Sequence, residues 1–158
     1  MAIFQRVLCP VDFSETSSKA LLLAQRLVGE TGAELILFHS FGVPASYDQA
    51  GQSEPADPKV RAQLEEIVLL SPDIKVRRAL HAGPPGEVIC WLAEDQRCDL
   101  IVMGTHGRGG LRHLLLRSVA EYVVRHAHCP VTIVRDVPAG EPPHHEPRVV
   151  PLPPPQWM

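Results

Sequence analysis

The chain lacks a long apolar run: no stretch approaches the length that a membrane-spanning helix needs. It lacks a large charge of either sign, with a net charge of −3. That balance excludes the basic footprint of a general nucleic-acid binder, so any anion site has to be local. Cysteine is sparse: Cys9, Cys90, Cys98 and Cys129, with no CxxC and no spacing of a disulfide framework. Cys9, in an apolar run, and Cys90, in a helical pattern, read as small core residues. His126, His128 and Cys129 have no matched partner motif for a tetrahedral zinc site, and a helix end followed by a strand accounts for them. The opening MAIFQRVLCPVD has no apolar h-region or small-residue cleavage site. A reducing cytoplasm is the expectation. Two nucleotide fingerprints are also missing. Without GxxxxGK[ST] there is no Walker phosphate loop, and without GxGxxG after the first strand there is no dinucleotide site of the usual kind.

What is there is an alternation of apolar runs and amphipathic stretches. Strands are predicted at 6–11, 34–41, 74–80, 99–103 and 131–135, with the third less fully buried. Helices are predicted at about 17–30, 58–70, 86–96 and 118–127. Ser14 or Thr16 supplies the first helix start, and Thr31-Gly32 its stop. In the second helix Val60, Leu64, Ile67 and Val68 share a face. Residues 42–57 read as a long loop and 81–86 as a turn. The order βαβαβαβαβ implies one α/β domain with a parallel sheet covered by helices on both faces. A ligand on such a sheet sits beyond the carboxyl ends of the strands, where the strand order reverses. Half of the sixteen prolines lie in 137–158, which reads as an extended or disordered tail.

Two places on that edge can carry chemistry. Asp12 follows the first strand, as an acceptor for a base or sugar or as a helix cap. The loop GTHGRGGLRHLLLRS at 104–118 follows the fourth strand. Gly104 and Gly107 allow positive φ or close backbone approach, and loop N–H groups with the next helix start make an anion site. A plain glycine-rich turn is the alternative.

The blocks PVDFSE at 10–15, DLIVMGTHGRGGL at 99–111 and SVAEYVVRHAHCPVTIVR at 118–135 together resemble the universal stress protein family, in its order and spacing. The resemblance spans roughly residues 1–136. It implies a five-stranded, Rossmann-like sheet of order 3-2-1-4-5, a homodimer through the last strand, and a stress-response role without appreciable catalysis. Family members that bind ATP carry G-x2-G-x9-G-[S/T]; here the motif reads Gly104, Gly107, Arg117, Ser118, with arginine for the third glycine. Carried over, Asp12 faces ribose or base and Val11 and Met103 flank adenine. Gly104, Gly107, Ser118 and Val119 surround ribose and phosphates, with or without Mg2+. Arg117 either fills the phosphate pocket or offers its donor fork to a phosphate. The two resulting functions are a nucleotide-binding stress regulator and a nucleotide-free dimeric interaction protein closed by Arg117. An adenylating relative would need a Ser-Gly-Gly-rich loop where DFSET stands, and a receiver domain a lysine where Arg135 stands.

Overall fold

The computed structural model describes residues 3–41, 57–105 and 116–135, with the backbone alone for 116–118. The elements are β1 (Arg6–Pro10), α1 (Glu15–Thr31), β2 (Glu34–Phe41), α2 (Pro58–Glu65) and β3 (Val76–Ala82), followed by α3 (Pro85–Asp95), β4 (Leu100–Gly104), α4 (Leu116–His126) and β5 (Val131–Val134). All strand pairs are parallel, and the sheet runs β3-β2-β1-β4-β5.

Strand alternation builds two apolar layers. Val7 and Cys9 of β1, Leu35 and Leu37 of β2 and Leu100 and Val102 of β4 point to one side, against α1 and Leu64 of α2. Leu8, Ile36, Phe38, Ile101 and Met103 point to the other, against α3 and α4. The register places Val7 beside Leu35 and Leu100, and Leu8 beside Ile36 and Ile101, so each layer is continuous across the sheet. A strand buried on both faces must be apolar at successive positions, which is why β1, β2 and β4 read as unbroken runs.

Local chemistry fixes the ends of α1. Ser14 is the N-cap, its Oγ accepting from the Ser17 N–H at 3.1 Å. Gly32 ends the helix with φ 72°, and its N–H donates to the Val28 carbonyl at 2.8 Å. The outer strand β3 is half-exposed, as its alternation predicts, and Arg77 grips Glu34 of β2 through two bonds of 3.0 and 2.9 Å. It begins and ends two residues later than its pattern suggests: His81 and Ala82 pair with Ser40 and Phe41 instead of turning.

The helix expected over 58–70 stops at Glu65, and Val68, expected on its inner face, is 87% exposed. The cause lies in β3 and α1. The Arg78 guanidinium donates to the carbonyls of Leu64 (3.1 Å) and Ile67 (2.9 Å), satisfying acceptors that a continuing helix would have used. The Leu70 N–H donates to Gln25 Oε1 at 2.6 Å, which ties the following segment to α1. Cys9 is fully buried as expected, whereas Cys90 is half-buried against the second layer. The 42–57 loop, save Asp57, and the proline-rich tail lie outside the described residues.

Candidate functional site

The strand order reverses between β1 and β4: the chain leaves β1 toward β2 and β3, then returns through α3 to β4 on the other side. α1, which follows β1, lies on one face and α4, which follows β4, on the other, and the carboxyl ends of the two strands border a crevice. A cavity of about 170 Å³ lies there. Its buried walls include Val11, Phe38, Ile89 and Met103, joined by Val119 of α4. Asp12, His39, Ser40 and Thr105 are its more exposed polar members.

The loop from β1 to α1 is held in an uncommon conformation. Phe13 has φ 62°, a left-handed backbone that costs a non-glycine residue about 1–3 kcal/mol. Three contacts enforce it. Asp12 Oδ1 accepts from the Ser14 N–H at 3.0 Å, and Ser17 Oγ donates to the Ser14 carbonyl at 3.1 Å. The Phe13 ring packs on the His39 imidazole with centroids 4.8 Å apart. His39 Nδ1 lies 2.7 Å from the Val11 carbonyl oxygen. A carbonyl only accepts, so Nδ1 carries the hydrogen that joins them. Asp12 thus orders the loop without being the cap, and its carboxylate remains exposed at the cavity.

Gly104 ends β4 in the crevice, and the space around it explains its lack of a side chain. A Cβ there would lie 3.0 Å from the carbonyl carbon and Cγ2 of Thr16 and 3.1 Å from the Ser17 nitrogen. Close approach to the first turn of α1 is therefore what this glycine provides. Val11, Asp12, Met103, Gly104 and Val119, all named from the sequence, line this cavity together. Gly107 lies outside the described residues; Arg117 and Ser118 fall in the first turn of α4, where the backbone alone is described.

The Ser17 and Ser40 hydroxyls donate to backbone carbonyls, Ser40 to Gly83 at 2.8 Å. Among the described residues no group of three or more His, Cys, Asp or Glu is placed to hold a metal ion. Among them, too, no helix is long and apolar enough to cross a membrane.

A family model described as the universal stress protein family matches residues 3–135. The chain belongs to that family. A universal stress protein of Methanocaldococcus jannaschii is 31% identical over 141 residues, covering 84% of this chain and 83% of the relative. One from Thermus aquaticus is 31% identical over 140 residues, covering 84% of this chain and all of the relative. Among solved structures, UspA from Lactobacillus plantarum superposes with a TM-score of 0.67 over 85% of this chain and 100% of its own, at 22% identity, a likeness of fold. A universal stress protein crystallised in complex with cAMP superposes with a TM-score of 0.61 at 26% identity, covering 83% of this chain and 96% of its own.

The family motif does not include every residue that shapes the crevice. Phe38, His39 and Ser40 close it from β2, and Pro85 and Ile89 from α3. A signal for the first three was present: β2 neighbours β1, so its last residues reach the same edge. Pro85 and Ile89 arrive through the crossover of α3, which no local pattern records.

Proposed function

We propose that this universal stress protein binds ATP in the crevice between β1 and β4 and acts as a homodimeric stress-response regulator in the cytoplasm, without appreciable catalysis. The observation that carries the reading is the meeting of Val11, Asp12, Met103, Gly104 and Val119 in a cavity at the point where the strand order reverses. Apolar walls suit the faces of adenine, and the exposed Asp12 carboxylate suits a ribose hydroxyl or a base amine. Gly107, Arg117 and Ser118 would surround the phosphates, with Mg2+ balancing their charge. Arg117 stands where the ATP-binding pattern has glycine, and its guanidinium is a phosphate donor. The cAMP-bound relative supports an adenine nucleotide as the ligand class.

The homodimer is assigned to β5. Val131–Val134 pairs with β4 on one side alone among the described strands, and an apolar edge of this kind calls for a partner.

Calorimetric titration with Mg-ATP, run on the wild type and on Arg117→Gly, tests the reading. Saturable binding by the wild type is expected. No binding by the wild type with a gain in Arg117→Gly would transfer the role to the closed, nucleotide-free protein. No binding by either would remove ATP from the account.

A further inference from the structure

Three of the four cysteines gather on one layer, away from the crevice. Cys98 is buried in the apolar cluster beneath α3 and α4, and Cys90 and Cys129 pack against that same cluster. Cys9 belongs to the opposite layer. All four are free thiols.

Backbone geometry sets the turns that hold Cys98 and Cys129 side by side. Each lies in the turn that feeds one of two adjacent parallel strands. Ile101 of β4 registers with Val131 of β5, and the Ile101 N–H donates to the Pro130 carbonyl at 3.0 Å. Cys98 stands three residues before Ile101 and Cys129 two before Val131. Carried back, that register sets Cys129 beside Asp99, one residue from Cys98; a strand spacing of about 4.8 Å with a one-residue stagger of about 3.3 Å gives a Cα separation of about 6 Å, within the roughly 4.4–6.8 Å that a disulfide spans. Burial first, and then the neighbouring Cys129, push Cys98 up to about 12. Burial, then Asp99 and Cys90, raise Cys129.

We propose that Cys98 and Cys129 form an oxidisable dithiol, a peroxide-dependent modification site that ties the entry of β4 to the entry of β5. Cys129 is half-buried and Cys98 only 3% exposed, so peroxide meets Cys129 first. The Cys129 thiolate attacks one peroxide oxygen; the O–O bond breaks, hydroxide leaves, and a sulfenic acid forms. The Cys98 thiol gives up its proton and attacks that sulfur; the S–O bond breaks and water departs. In sum two thiols are oxidised to one disulfide and one hydrogen peroxide is reduced to two waters. Raised thiols make this a slow reaction whose rate climbs with pH, because the thiolate is the attacking form. The bond would lie at the sheet edge opposite the crevice, so the inference stands independently of nucleotide binding.

Arginine spacing makes the test clean, since trypsin leaves Cys90, Cys98 and Cys129 on separate peptides, 79–97, 98–108 and 126–135. The full-length chain is treated with hydrogen peroxide, its free thiols are alkylated, and the digest is analysed by mass spectrometry. The expected result is a fall from four alkylatable thiols to two and a linked pair of peptides 98–108 and 126–135. Cys90→Ala should keep the link and Cys98→Ala should lose it. Four alkylatable thiols after treatment, a bridge from Cys129 to Cys90, a bridge between two chains, or oxidation of Cys129 to sulfinic acid without a bridge would each overturn the proposal.

Discussion

Gly104 shows how a single residue can serve packing and site together. Its missing side chain lets the end of β4 approach Thr16 and Ser17, and the same approach places Met103 and Val11 in one cavity. Gly104→Ala should destabilise the fold by about 1–3 kcal/mol through overpacking, read as a lower denaturation midpoint. An unchanged midpoint would mean that α1 shifts freely to admit the methyl group. Cys9 makes a second prediction at this scale. Burial raises its thiol from the ordinary 9.0 to about 12. Above pH 9 the unfolded chain releases this proton while the folded chain keeps it, so stability falls with rising pH until the folded thiol also titrates. The slope approaches about 1.4 kcal/mol per pH unit for one such thiol. Chemical denaturation between pH 8 and 11 should show that decline, and Cys9→Ala should flatten it in part, with the buried Cys98 supplying the remainder.

The elements owe their bounds to chemistry of differing range. Where the signal is local, the sequence displays it: Ser14 caps α1 and Gly32 closes it, and the alternating layers make the buried stretches of β1, β2 and β4 apolar at successive positions. Ser14→Ala should therefore cost about 1 kcal/mol, measurable by thermal unfolding. Where the signal is distant, periodicity misleads. Ile67 and Val68 continue a helical pattern, yet α2 ends at Glu65 because Arg78, on a strand formed later in the chain, takes the carbonyls of Leu64 and Ile67. Arg78→Met keeps much of the side chain's bulk and removes the donors, so it should cost about 1–3 kcal/mol by leaving those acceptors unpaired. Hydrogen exchange should rise around α2 and leave α3 unaffected. The late end of β3 has the same kind of cause, since His81 and Ala82 are held by pairing with β2 and not by their own turn propensity.

For the whole molecule, the order of elements was enough to foresee a parallel sheet, and the motif blocks brought with them the strand order and five residues that line the crevice. The direction of each crossover then follows from the reversal, with α1 and α2 on one face and α3 and α4 on the other. The strained Phe13 turn and the His39 brace were not legible, because both rest on side-chain contacts between the ends of β1 and β2 that strand order alone does not specify. The proposed dimer is a property at this scale: sedimentation equilibrium should give twice the mass of the chain, and a monomer at micromolar concentration would remove β5 as an interface. The central claim is that the reversal of strand order makes a nucleotide site. Its most direct measurement is an NMR titration of methyl-labelled protein with Mg-ATP. The account predicts saturable shifts of the Val11, Met103 and Val119 methyls, with the methyls of Val28 and Ile74 at the far edge of the sheet unmoved. Shifts confined to that far edge, or none at saturating ATP, would contradict it.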